Sequence, residues 1–321
     1  MTLLYYDSIF LKHQTGSHPE CPERLVNVAE RLEQSGLFDQ TTRPPWGPVD
    51  RTLLTAVHEG VYVDQARRFA ASGGGYIESD TVVSPATYDV ATLAAGATCD
   101  ATRRVLLGED RDALCLVRPP GHHALSTTAM GFCLFNNVAI AALMAVRHFD
   151  LDRVLVVDWD VHHGNGTQDT FWESEQVGFF SIHRWPFYPG SGEENETGYG
   201  KGLGTTVNIP LEFGVSRKDY LDCFARELDD FANKLRPQLV VLSAGFDAHV
   251  LDPVGSLGLE TEDFVTLTEM VSAVADQHAN GRLVSVLEGG YNTKILPDCI
   301  AAHLECLLKR QTDKKRTERP S

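Results

Sequence analysis

The sequence predicts a single α/β domain: a central parallel β-sheet flanked by helices on both faces. Three observations carry this. Short β-rich runs alternate with long helical ones to the end of the chain. Several of those runs are apolar at consecutive rather than alternate positions, which suits strands covered on both faces. No linker or break in composition divides the 321 residues. Length alone would allow two domains at roughly 150 residues each, but α/β folds often exceed that in one piece.

Taken in order, the strands are expected at Leu3–Tyr6, Ala113–Val117, Arg153–Val157, Val177–Ile182, Leu239–Ser243 and Leu283–Leu287. The helices are expected at about 86–107, 135–149, 216–235 and 260–279. Ser216 with Asp219 has the spacing of a capping box, with Asp in place of the preferred Glu or Gln. Arg236 and Pro237 should end that helix. Ser72–Gly75 and Pro186–Gly204 read as surface loops. The polar tail from about 310 to 321 reads as a frayed end.

Lys and Arg total 28 against 44 Asp and Glu, a net charge of −16. Such a chain does not attract phosphates, so neither nucleic acid nor an anionic membrane is expected as a partner. Basic partners remain open, as does a homo-oligomer. The start carries no secretory pattern, and no 18-residue apolar run exists to span a bilayer. The seven cysteines are odd in number, widely spaced and free of CxxC pairs. A reduced, cytoplasmic location is the simplest expectation.

The chemistry concentrates at strand ends. Val154-Leu-Val-Val-Asp158-Trp-Asp160-Val-His162-His163-Gly-Asn165 runs from a buried strand into a polar cluster. In an extended backbone Asp158, Asp160 and His162 share a face, at the usual site edge of an open α/β sheet. Buried neighbouring carboxylates need a cation or hydrogen bonds. A second strand ends in Asp247. Asp160, His162 and Asp247 would make a two-carboxylate, one-imidazole site for Zn²⁺, with Fe²⁺ or Co²⁺ also able to occupy it. The plainer alternative is that Asp158 and Asp247 cap turns.

His122 and His123 follow another strand and lack a ligand-like spacing to a carboxylate, so they read as proton-transfer groups. Each needs an orienting partner on its other ring nitrogen, and Asp158 and Asn165 are the leading candidates. After a fourth strand, Gly289 and Gly290 permit a tight turn that would bring Tyr291 to the pocket. Its hydroxyl could polarise an amide carbonyl. Read alone, Tyr291 would be a packed turn aromatic.

These residues and their order resemble the histone deacetylase family of amidohydrolases, within the arginase/deacetylase superfamily. The likeness runs from HPECPER at 18–24 through RPPGHHA at 118–124, GFCLFNN at 131–137, VDWDVHHGNGTQ at 157–168 and SAGFDAH at 243–249 to EGGYN at 288–292. The resemblance implies the arginase/deacetylase fold over 1–321 as one catalytic domain. It implies removal of acetyl or other acyl groups from lysine side chains by metal-activated water. Asp160, His162 and Asp247 would hold the zinc; His123 would be the general base and His122 its partner. Asp158 would support His122, and Asn165 would support His123. Tyr291 would polarise the carbonyl, and Arg24 would line an internal product cavity.

It also implies two structural potassium ions. One would involve Asp158, Asp160, His162, Ser181 and Ile182, and the other Phe171, Ser174 and Val177. Asn165 and the surrounding wording look like class II, and the short length like a bacterial class II-like homologue. Phe132 with Phe187 or Tyr188 would wall the acyl-lysine tunnel, alongside Gly131 and Gly290. Asp80 and Ser84 would lie at its rim.

Acetylpolyamine hydrolases share this machinery and form the alternative. Polyamine specialists of the class IIb type carry a glutamate in a DPE context, where this chain has Asp252-Pro253-Val254. The loop acids Glu193, Glu194 and Glu196 could imitate a polyamine site. A two-metal arginase-like enzyme would want carboxylates where Gly164 and His249 stand. A non-enzymatic acyl-amine binding protein would be expected to have lost a ligand or the tyrosine; none is lost.

Overall fold

The computed structural model describes residues 2–317. In chain order the elements are β1 (Leu3–Tyr5), α1 (Glu23–Gln34), α2 (Arg51–Val57), α3 (Gly60–Ala71), β2 (Gly75–Glu78), β3 (Thr81–Val83) and α4 (Thr87–Leu106). They continue with β4 (Asp112–Cys115), α5 (Asn137–Phe149), β5 (Val154–Asp158), α6 (Asn165–Phe171), β6 (Val177–Arg184) and β7 (Thr206–Leu211). The last are α7 (Arg217–Leu235), β8 (Leu239–Ala244), α8 (Thr261–His278), β9 (Leu283–Leu287) and α9 (Leu296–Thr317).

Seven strands form one sheet in the order β1-β4-β9-β8-β5-β6-β7. Every neighbouring pair is parallel. β5, β8 and β9 are buried along their whole length, which explains their unbroken apolar runs. The strands that lead into the four chemical motifs, β4, β9, β8 and β5, are contiguous in the sheet. Their carboxyl ends therefore open onto one place, the crevice where open α/β sheets bind ligands.

The expected strands and helices are present within a few residues. α7 ends at Arg236, whose φ of 52° leaves the helical region. Ser216 Oγ accepts the Asp219 N–H at 3.1 Å, but donates to the Asp219 carboxylate at 2.6 Å. The carboxylate arm of a capping box forms instead at α8, where Asp263 Oδ2 accepts the Glu260 N–H at 2.8 Å.

The short hairpin β2–β3 and helices α1, α2, α3, α6 and α9 add to the sequence expectations. So does β7, whose pattern Thr-Val-Asn-Ile-Pro-Leu is interrupted by Asn208 and Pro210. Proline is tolerated there because β7 is an edge strand. The expected frayed tail is corrected in part, because α9 continues through Thr317; 318–321 lie outside the described residues. Among the described residues, no helix is long and apolar enough to cross a membrane.

Candidate active site

Asp158 ends β5, paired in register with Ser181 of β6 and Ser243 of β8. The chain then bends through 160–162 instead of continuing as a strand. Strand alternation therefore does not align the three motif residues. Asp158 turns towards His122, while Asp160 and His162 meet Asp247 from the end of β8. Hydrogen bonds hold the bend: Asp158 Oδ1 accepts the Asp160 N–H at 3.1 Å, and Asp160 Oδ1 accepts the His162 N–H at 2.9 Å. Asp247 Oδ1 accepts the Val161 N–H at 2.9 Å, joining the two strand ends. The turn-capping alternative thus describes part of what these carboxylates do.

One ligand atom from each of Asp160, His162 and Asp247 lies within 4.8 Å of the others, and all three residues are buried. His162 Nδ1 is 3.0 Å from Asp160 Oδ1 and 3.1 Å from Asp247 Oδ2. Burial opposes charge on this imidazole, yet the two carboxylates raise it to about 9. Burial and the neighbouring Asp160 raise Asp247 to about 7. The cluster is short of positive charge, the condition a divalent cation relieves. Two oxygens and one nitrogen, with His162 lining a cavity, suit zinc with an open position.

Glycine is required around this cluster. A Cβ on Gly245 would fall 2.2 Å from Asp160 Oδ2, and one on Gly289 2.1 Å from Asp247 Oδ2. Gly289 also donates its N–H to Asp160 Oδ2 at 2.8 Å.

The two histidines are held differently. His122 Nδ1 lies 2.9 Å from Asp158 Oδ2, and its Nε2 lies 3.9 Å from Asp160 Oδ1. Desolvation would lower its pKa, but Asp158 and Asp160 raise it to about 10. His123 Nδ1 lies 2.7 Å from Asn165 Oδ1. An amide oxygen only accepts, so His123 carries its proton on Nδ1 and presents a bare Nε2. Burial, then the adjoining His122 and His162, push His123 well below the ordinary histidine range. Two side-by-side imidazoles, 4.0 Å between centroids, are thus driven to opposite protonation states, the pattern of an acid–base pair.

Tyr291 is buried, with the Arg24 guanidinium 4.9 Å above its ring. Burial and the nearby Asp247 and Asp160 raise its pKa well above 10, so its hydroxyl remains a donor. Arg24 is fully buried and donates to the carbonyls of Gly290 at 2.6 Å and Glu288 at 2.5 Å.

A cavity of about 300 Å³ reaches this cluster from the surface. Its inner end is lined by His123, His162 and Tyr291, and its walls by Gly131, Phe132, Phe187, Tyr188 and Val254. Asp80 also lines it. Phe187 stacks on His162 with centroids 5.1 Å apart, and Tyr188 meets His123 edge-on at 5.2 Å. Both aromatics left as alternatives by the sequence are in the wall. Gly131 must be glycine: its φ is +56°, and a Cβ would lie 2.2 Å from His123 Cδ2.

Two expected placements are corrected. Gly290 does not line the cavity; its φ of +117° and its bond from Arg24 place it behind Tyr291. Ser84 is not at the rim, because it is buried against Thr87 at the start of α4, with the hydroxyls 2.9 Å apart. Arg24, expected at an internal product cavity, has its guanidinium committed to Glu20 and to the main-chain carbonyls of Gly290 and Glu288.

Glu193, Glu194 and Glu196 also stand away from the cavity wall. Glu196 accepts from Gln168 at 2.6 Å and from the Gly192 N–H at 3.1 Å. Among the residues expected to hold potassium, Ser181 and Ile182 are buried in β6. Ser174 Oγ accepts the Val177 N–H at 3.2 Å, and the Phe171 carbonyl accepts the Ser174 N–H at 2.9 Å.

Sequence reasoning passed over several supports. Glu288 Oε2 accepts the N–H groups of Gly121 and His122 at 2.6 and 3.1 Å, fixing the histidine loop. Glu20 joins the buried Arg24 and Arg118. Arg184 lies between the rings of Phe187 and Phe213, at 4.1 and 4.4 Å, and donates to the Gly255 carbonyl at 3.1 Å. His18 meets Phe132 edge-on at 4.5 Å. Glu288 and Glu20 stood inside quoted motifs, and for Glu288 a charge directly after an apolar strand was the available signal. Arg184 left none.

The histone deacetylase domain profile matches residues 18–307. The chain is 37% identical over 297 residues to a probable deacetylase of Archaeoglobus fulgidus, spanning 92% of this chain and 82% of that protein. It is 35% identical to the histone deacetylase-like amidohydrolase of Pseudomonas aeruginosa, over 95% and 85% of the two chains. It is 38% identical to the polyamine deacetylase HDAC10 of Homo sapiens, over 95% of this chain and 48% of that one. The crystal structure of the HDA15 HD domain superposes with a TM-score of 0.91 at 35% identity, covering 96% of this chain and 88% of that chain. By profile, sequence and fold together, the chain belongs to the histone deacetylase family.

Proposed function

We propose that this protein is a zinc-dependent amidohydrolase that removes acetyl or other acyl groups from acylated lysine side chains. The observation that carries the reading is the cavity: an aromatic and apolar passage that ends on His123, Tyr291 and His162, the last a member of the Asp160–His162–Asp247 cluster. An aliphatic lysine stem suits such walls, and its amide would reach the polar end.

Zinc held by Asp160, His162 and Asp247 would act there as a Lewis acid towards the carbonyl and lower the pKa of water. The bare Nε2 of His123 takes the proton of the attacking water, with Asn165 keeping the imidazole in that tautomer. Tyr291 donates its hydroxyl to the carbonyl oxygen as that oxygen gains negative charge. His122, held protonated by Asp158, keeps positive charge beside the reacting centre. The histidine pair then returns a proton to the departing nitrogen, releasing amine and carboxylate. Potassium bound near Asp158 and Ser181, and near Phe171, Ser174 and Val177, would brace the strand ends.

A polyamine reading is favoured by the likeness to HDAC10, named as a polyamine deacetylase. Val254 weighs against it. This wall residue offers a branched apolar side chain where a second ammonium group would need a carboxylate.

The test is removal of metal by chelation, followed by zinc restoration with acetate release from an acetyl-lysine peptide as the readout. Recovery at one zinc per chain is expected. A zinc-loaded protein that binds the peptide but releases no acid would establish a binding protein instead.

A further inference from the structure

Asp252 has no part in the chemistry above, yet its buried carboxylate accepts four backbone N–H groups. Oδ1 takes those of Val254 and Gly255 at 2.9 Å each. Oδ2 takes those of Tyr291 and Asn292 at 2.7 and 3.2 Å. The first pair belongs to the turn after β8 that sets Val254 in the cavity wall. The second pair begins at the tyrosine itself. An ionised carboxylate offers about four lone-pair directions, and here each meets a donor. Bonds of this charge-assisted kind are roughly twice as strong as neutral ones.

Tyr291 follows Gly290, whose φ of +117° makes a sharp turn. On the upstream side, Arg24 Nε holds the Gly290 carbonyl at 2.6 Å. On the downstream side, Asp252 holds the N–H groups of Tyr291 and Asn292. We infer that Asp252 is a positioning residue, which sets the Tyr291 hydroxyl against the opposite wall by tying the tyrosine turn to the Val254–Gly255 turn through one carboxylate. The inference rests on Tyr291 being the donor to the substrate carbonyl. Its importance follows from geometry, because a misplacement of about 1 Å at a reacting group can cost about a hundredfold in rate.

Asp252→Asn tests this, because it keeps the size but replaces one acceptor oxygen with an NH₂ group facing two N–H donors. One pair must then be lost. On an acetyl-lysine peptide, kcat should fall about tenfold or more, beyond any change in KM, with zinc content unaltered. Combined with Tyr291→Phe, Asp252→Asn should lower kcat little further, because both changes remove the same contact. Multiplying losses, or an unchanged kcat in the single variant, would overturn the inference.

Amide hydrogen exchange gives a readout independent of turnover. Exchange across 253–256 or across 289–293 should accelerate in Asp252→Asn, and unchanged exchange in both segments also rules the tether out. If the wild-type protein hydrolyses neither substrate class, the proposed function fails while the exchange result still decides the tether. Should Asp252→Asn not fold, Asp252→Ser, which keeps one oxygen acceptor, enters the same cycle.

Discussion

The floor of the cavity and its mouth are built on different terms. On the floor, Asp158, Asp160 and Asp247 are fully buried at the ends of β5 and β8, and each accepts a backbone N–H from the turn after β5. At the mouth, Phe187, Tyr188 and Val254 come from loops, and Tyr188 is 38% exposed. The loop aromatics are placed by ring contacts with His162, His123 and Arg184. The difference teaches where change is tolerated. The floor is continuous with the sheet, so altering it alters the chemistry; the mouth can vary and change which amine enters.

The largest expected effect breaks the floor. Asp247→Ala should abolish activity together with metal binding, read by elemental analysis, because Lewis-acid and template roles are lost at once. Full zinc occupancy in that variant would remove Asp247 from the ligand set. Tyr291→Phe comes next. Loss of one oxyanion donor costs about 10²–10³ in kcat, here with zinc retained, so equal loss of metal would deny the tyrosine its separate role.

The third prediction exchanges the mouth. Val254→Glu places a carboxylate in the wall, and a hydrogen bond to a charged group is worth about 1.5–3 kcal/mol. Preference for N-acetylputrescine over an acetyl-lysine peptide should therefore rise about tenfold or more. Zinc content should stay constant. An unchanged ratio of kcat/KM values would mean that the amine end does not pass Val254.

The smallest effect separates the reacting pair from buried histidines elsewhere. Desolvation lowers His58 to about 4, His163 to about 3, His183 to about 4 and His303 to about 3. In the unfolded chain these groups titrate near 6.5. Between the two values the unfolded state binds more protons. Their contribution is therefore intact above pH 6.5 and declines as pH falls towards 4 and then 3. The slope is at most about 1.4 kcal/mol per pH unit for each group. His303→Gln should flatten that decline in denaturant titrations between pH 6 and 4, and an identical slope would contradict it.

The strands carrying the chemistry were legible because burial on both faces leaves unbroken apolar runs, as in Val154–Val157 and Leu239–Leu242. The reacting groups stood directly after those runs. What escaped was either half-buried or joined across long separations. β7 is an interrupted edge strand, and Arg184 reaches Gly255 across 71 positions. Asp252 reaches Tyr291 across 39. One residue was misplaced for a local reason: Ser84 lay near the expected rim in sequence, but its hydroxyl is turned inward to Thr87. The bend after Asp158 likewise replaced a strand face with a turn, and brought the same ligands together by another route.

The most direct test of this account is acid release by zinc-loaded wild-type protein from two matched substrates, an acetyl-lysine peptide and N-acetylputrescine. The account predicts hydrolysis of both chemistries at one metal centre, with the higher kcat/KM for the peptide. Higher kcat/KM for N-acetylputrescine would contradict the reading of the mouth, and no acid from either would contradict the reading of the floor.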